Sequence, residues 1–232
     1  MAAVVEVSGL RYRYPDGTEA LKGVDFNLDA GESVALLGAN GSGKSTFALH
    51  LNGLLEGEGV VRVCGMEVTR AALAAVRRKV GLVFQDSDNQ LFMPTVLEDV
   101  AFGLLNQGLS AERAREAAQI ALERVGMGPA SGRAPHHLSA GEKKRVALAG
   151  ILALEPDILV LDEPTTFLDP PGQRALADLL RNLPQAKILI THDIPFARAT
   201  CSRAVFFRDG SVAAEGTVEA IAVRFEWSFS VR

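Results

Sequence analysis

The chain has 232 residues, 48% hydrophobic and 22% charged, with 24 Lys and Arg against 28 Asp and Glu for a formal net charge of −4. That length and apolar content predict one large domain or two joined subdomains with a sizeable core, and they exclude a disordered chain. The negative balance supplies no global positive field of the kind that holds a protein on nucleic acid, so no nucleic-acid partner is expected. No apolar run reaches the ~20 residues of a bilayer span; the stretch 146–154, for example, stops at Glu155. The opening MAAVVEVSGL meets Glu6 without a basic start, so it does not read as a signal peptide and a cytoplasmic location is expected. Cys64 and Cys201 have no second Cys or His at ligand spacing, which predicts two reduced core thiols.

In chain order, alternating segments at 4–7 and 24–28 around a PDG turn at 15–17 predict antiparallel strands at one edge. Buried strands are predicted at 33–37, 80–84, 158–161, 188–191 and 205–207. They alternate with segments of helical period, the pattern of an α/β domain with a mainly parallel sheet. Over 110–125, Ala114, Ala117, Ala118, Ala121, Leu122 and Val125 fall on one helix face, with Ser110 able to cap the start and Gly126 the end. A second helix at 172–183 gathers Leu176, Leu179, Leu180 and Leu183 and halts at Pro184. The mostly helical stretch from 92 to 155 is too long for a simple crossover and reads as a helical subdomain inserted into the core. The chain thus divides into an α/β core at 1–91 and 156–223, an inserted helical subdomain at 92–155, and an unassigned tail at 224–232.

The strongest local signal is GANGSGKST at 38–46, which matches GxxxxGK[ST] and follows the strand-like VALL. Gly38, Gly41 and Gly43 let the backbone around Asn40 and Ser42 curl so that its N–H groups point at phosphate, and the helix beginning there adds its positive end. In that pattern Lys44 meets the β and γ phosphates and Ser45, followed by Thr46, meets Mg²⁺. A nucleotide site also needs a carboxylate for the metal and a base for water. The run ILVL supplies both where it ends: Asp162 for Mg²⁺, and Glu163 to polarise the attacking water.

With these motifs the chain resembles an ATP-binding-cassette (ABC) ATPase, a P-loop NTPase. LSAGEKKR at 138–145 resembles that family's LSGGQ signature, and Gln85, Leu168-Asp169 and Thr191-His192-Asp193 follow in the family's order. The resemblance implies that Ser139 and Gly141 receive the γ-phosphate held by a second cassette subunit, so that two cassettes enclose two ATP molecules. Ala140 replaces the first signature glycine, and Glu142 the glutamine. It implies further that Gln85 senses Mg²⁺ and the attacking water, that His192 contacts the γ-phosphate, and that Tyr14 stacks on adenine with Tyr12 its close competitor. His136 and His137 read as solvated loop residues.

The segments at 51–55, 80–103 and 142–170 most resemble the ATPases of energy-coupling-factor importers of the cobalt, nickel and biotin type. That resemblance implies an ATPase on the cytoplasmic face of the membrane, paired in a homodimer or a heterodimer. Its implied partners are a transmembrane coupling protein and a substrate-binding membrane component. Asn89, Gln90, Leu91, Phe92 and Met93 are then expected to face the coupling protein, although Leu91 and Phe92 read equally as core leading into a helix. The alternative is a soluble cassette ATPase of DNA or ribosome metabolism, or the ATPase of another transporter class. The stretch 223–232 matches nothing recognisable, and a C-terminal dimerisation extension is expected to be absent.

Overall fold

The computed structural model describes residues 3–85 and 90–227. Strand β1 (Ala3–Arg13) pairs antiparallel with β2 (Glu19–Asp29), and β4 (Glu58–Val63) and β5 (Met66–Glu67) complete a sheet ordered β2-β1-β4-β5. The second sheet contains β3 (Ser33–Leu37), β6 (Val80–Val83), β7 (Ile158–Asp162), β8 (Ala186–Ile190), β9 (Arg203–Arg208) and β10 (Ser211–Gly216), in the order β10-β9-β3-β8-β7-β6. Its pairs are parallel except for the β9–β10 hairpin. The α/β P-loop core with an antiparallel N-terminal sheet is therefore as the sequence predicts.

Side-chain period explains the layering. Strands β3, β7 and β8 are buried on both faces and read as continuous apolar runs. Their residues divide among three cores, Ala35 and Leu37 of β3 joining a small one with Phe206, Val218 and Ile221. Val34, Leu36, Val160 and Ile188 pack toward the first sheet, while Leu159, Leu161 and Leu189 pack toward helices on the opposite face. Strands β1 and β2 each run eleven residues, longer than the expected 4–7 and 24–28, because polar residues continue the alternation outward. The weakly patterned β4, β5 and β10 were not predicted, nor was the short helix α2 (Leu73–Lys79), which follows α1 (Lys44–Leu51).

Between β6 and β7 lie α3 (Val96–Asn106), α4 (Ala111–Arg124) and α5 (Ala140–Ala153), which pack on one another around Val100, Leu104, Ala118, Leu122, Val146 and Leu152. Ser110 caps α4 as expected, accepting from Arg113 N at 3.4 Å. Helix α6 (Pro170–Arg181) starts two residues before the expected 172, because Asp169 caps it and Pro170 suits the first helical position. The chain closes through α7 (Ile194–Thr200) and α8 (Val218–Arg224). The expected unassigned tail is packed as far as 227: Phe225 stacks on Phe206 at 3.8 Å between centroids, and Trp227 meets the same ring edge-on at 5.4 Å.

Candidate functional site

The loop from β3 to α1 folds tightly under its neighbours, and two glycines permit it. Gly38 has φ 136°, and a Cβ there would lie 2.2 Å from Phe207 O; Gly43, the residue preceding α1, has φ 105°, and a Cβ would lie 2.7 Å from Ala20 O. Because Gly43 brings no capping side chain, the first N–H groups of α1 have none to satisfy them, the arrangement that receives an anion. Lys44 arches back over this loop, donating to Gly38 O at 2.7 Å, Ala39 O at 2.8 Å and Ser42 Oγ at 3.3 Å.

A cleft of about 520 Å³ opens beside the loop, where β3, β7 and β8 end. Of the predicted site residues, Tyr14, Asn40, Gly41, Gly43, Lys44, Ser45, Thr46, Gln85, Asp162, Glu163 and His192 line it. Gly38 and Ser42 do not; they shape the loop from beneath. Ser139 and Gly141 are also absent from this cleft, so the structure keeps the signature apart from the phosphate loop of its own chain.

Ser45 Oγ donates to Asp162 Oδ2 at 2.8 Å, joining α1 to the end of β7. Burial pushes the Asp162 carboxyl above the usual range, opposed by the Ser45 hydrogen bond, while burial pushes the Lys44 ammonium down, opposed by Glu163 and Asp162. A charged cleft with partly desolvated groups of both signs is thus in place. Glu163 sits just past β7 in the left-handed region, at φ 47°. Its Oε1 lies 2.8 Å from His192 Nδ1, and its Oε2 is buried with no hydrogen-bond partner. On a residue that lines the cleft, a carboxylate oxygen without a partner is a candidate acceptor for a water proton.

The two tyrosines separate. Tyr14 lies beyond the end of β1 and lines the cleft, with its Oη 2.9 Å from Thr46 Oγ1. Tyr12 packs edge-on against Tyr14 and His50, each at 4.9 Å between centroids, and lies half-buried against the core between the sheets. Gln90 departs from expectation. Its Oε1 accepts from Phe84 N at 3.0 Å and its Nε2 donates to Leu82 O at 3.3 Å, so its amide closes the end of β6 instead of facing outward. Leu91 packs on the helical core and Met93 is half-buried, whereas Phe92 is 64% exposed and packs edge-on with Phe102. Asn89 lies outside the described residues.

At the signature, Ser139 caps α5, and its Oγ accepts from Glu142 N at 3.3 Å while Glu142 Oε2 accepts from Ser139 N at 2.8 Å. This is a reciprocal capping box, which meets the N–H groups of Ser139 and Glu142 and leaves those of Ala140 and Gly141 without a partner inside the helix. Along α5, Val146 and Ala149 are buried and Gly150 and Ala153 half-buried; Lys144 is also buried, although a lysine reads in sequence as a surface residue.

A family model described as "ABC transporter" matches residues 21–166. A putative ABC transporter ATP-binding protein of Streptomyces avermitilis is 52% identical over 216 residues, 93% of this chain and 82% of that protein. The energy-coupling factor transporter ATP-binding protein EcfA of Methanosphaera stadtmanae is 48% identical over 227 residues, covering 95% and 82%. Among solved structures, cbiO1 of Clostridium perfringens, described as part of the ABC transporter complex cbiONQ, superposes with a TM-score of 0.86 at 38% identity over 97% of this chain and 93% of that one. The cassette MJ0796, solved as a dimer in a post-hydrolysis state with ADP and Pi, gives 0.86 at 31% identity over 92% and 98%. With a phosphate loop, an Asp-Glu pair and a histidine gathered on one cleft, and with these relatives, the chain belongs to the ABC transporter family as an ATP-binding, ATP-hydrolysing subunit.

Proposed function

We propose that this ATPase energises an importer of the energy-coupling-factor type, working at the cytoplasmic face of the membrane on a transition-metal ion such as cobalt or nickel, or on a vitamin such as biotin. The likeness to EcfA and to cbiO1 supports the transporter type. The observation that carries the chemistry is the Glu163 carboxylate, with one oxygen on His192 and the other buried and unpaired in the cleft.

In this reading ATP lies with its phosphates on the loop at 38–46 and its adenine against Tyr14. The Lys44 ammonium turns from the loop carbonyls to the β and γ phosphates, and the N–H groups at the start of α1 complete the cradle. Glu163 Oε2 accepts a proton from the attacking water, and His192 holds the carboxylate in place and meets the γ-phosphate. The oxygen donors Ser45 and Asp162, with Gln85 at the rim, fit a Mg²⁺ accompanying the nucleotide, since that ion takes one or two protein oxygens and fills its other positions with phosphate and water. When bound, Mg²⁺ draws off charge that develops on the phosphate oxygens.

Because Ser139 and Gly141 lie away from their own chain's cleft, they serve the nucleotide of a second cassette subunit, either a copy of this chain or a related one. Exposed Phe92 and Phe102 form the apolar contact for a transmembrane coupling protein, which works with a substrate-binding membrane component. Replacing Glu163 with Gln tests the core of this reading. ATP affinity should be retained while kcat falls by a factor on the order of 10²–10⁴, the usual worth of a general base. Steady-state hydrolysis at the parent rate would remove Glu163 from this role.

A further inference from the structure

A lysine that the nucleotide motifs leave unassigned lies directly beneath the base. Lys144 is 3% exposed, and its Nζ donates to the backbone carbonyl of Glu163 at 2.5 Å. A buried ammonium is costly unless its hydrogen bonds are met, so such a residue is unlike an ordinary surface lysine. Glu163 needs this kind of support. It is a non-glycine residue at φ 47°, a conformation that an L side chain resists and that persists only where the surroundings impose it. Its N–H is fixed by Ile190 O on β8 at 2.8 Å, and its carbonyl takes Lys144 from one side and Thr166 N at 3.2 Å from the other. With the peptide groups on both sides of its Cα held, the side chain emerges into the cleft toward His192.

The lysine belongs to the signature helix. Lys144 follows Gly141 by three residues on α5, so the two share a face. At Gly141 a Cβ would lie 3.2 Å from both Phe167 O and Leu168 Cδ2, which shows how closely that face lies along the segment after Glu163. The charge of Lys144 also acts on Asp162, opposing the effect of burial on that carboxyl. We propose that Lys144 is a positioning residue for Glu163, through which the helix that carries the signature holds the hydrolytic carboxylate of its own chain in register. This rests on the reading of Glu163 as the base.

The test uses the full purified chain and compares Lys144→Met and Lys144→Gln in the parent and in the Glu163→Gln background. Methionine nearly keeps the volume and removes the donor; taking one partner out of a buried polar contact costs stability, so Tm is read alongside turnover. Lys144→Met should lower kcat at least fivefold at a temperature where both proteins stay folded, with KM and the ATP dissociation constant within twofold of the parent. Lys144→Gln, which retains an N–H donor, should recover part of that loss. In the Glu163→Gln background, Lys144→Met should leave the residual rate unchanged within twofold, because the group it positions is gone. A smaller fall in kcat, an equal fall in both backgrounds, no recovery by Gln, or a loss of rate matched by losses of Tm and ATP affinity overturns the proposal. Failure of the base reading is separately visible as full turnover by Glu163→Gln alone.

Discussion

The N-termini of α1 and α5 carry the two phosphate-binding roles proposed for this chain, and they are finished in opposite ways. At α1 the capping position is Gly43, no side chain caps the helix, no acid stands in the first turn, and Lys44 adds a cation. At α5 the capping position is Ser139, the Ser139–Glu142 box meets the N–H groups of those two residues, and the Glu142 carboxylate is itself paired with Arg133 Nη1 at 3.2 Å. One end is an open, positive cradle; the other is a partly closed cap of balanced charge, with only the N–H groups of Ala140 and Gly141 left over. The contrast implies an order of events, with ATP held first at α1 of a single chain and α5 engaged only when a second cassette brings phosphate to it.

The sharpest way to break that contrast is to remove the cation. Lys44→Ala should weaken ATP binding to the isolated chain about ten- to a hundredfold, from the roughly 1.5–3 kcal/mol of a charged hydrogen bond. An unchanged dissociation constant, measured by titration calorimetry, would mean that the loop is not the phosphate cradle. Ser139→Ala probes the opposite end. It should leave that dissociation constant unchanged, lower stability by about 1 kcal/mol through loss of the cap, and weaken ATP-driven dimer formation in the Glu163→Gln background. If Ser139→Ala instead weakened ATP binding as Lys44→Ala does, the two helix ends would be serving the same nucleotide and the contrast would fail.

These two ends were unequally legible in the sequence. The cradle at 38–46 could be read in detail, because the glycines and the lysine stand together and act through backbone geometry that is local in the chain. So could the Asp-Glu pair, since a buried apolar run announces where its strand ends. What the sequence did not show was which partners distant groups would choose. Gln90 turns inward to β6 and Lys144 is buried against Glu163, both by packing that overrides the usual preference of such side chains for water, whereas the Ser139–Glu142 box is a local Ser-x-x-Glu pattern. The separation of Tyr12 from Tyr14 follows in the same way. Strand period would place both on one face, but β1 ends at Arg13 and the chain turns before the second ring.

The smallest expected effect isolates the charge at the closed end. Glu142→Gln keeps an oxygen that can accept from Ser139 N, so the box survives while the carboxylate is lost. The Glu142 carboxyl lies below the ordinary glutamate range, chiefly because it accepts from the Ser139 backbone, with the Ser139 side chain and Arg133 adding to the effect. A depressed carboxyl stabilises the fold above its ordinary range, and that contribution fades as pH falls through the folded-state value. At pH 7 the variant should therefore be less stable by about 0.3–1 kcal/mol, the worth of a charge at a helix end, and on acidification below the glutamate range it should converge with the parent. Dimer formation should move the other way. Taking a negative charge from the helix end that receives a second subunit's phosphate should favour the ATP-bound dimer in the Glu163→Gln background, most clearly at low ionic strength, where such fields are least screened. Sedimentation at two salt concentrations reads this directly. Weaker dimerisation of the glutamine variant at low salt would show that the Glu142–Arg133 pair assists the approach of the second cassette instead of holding the cap closed against it.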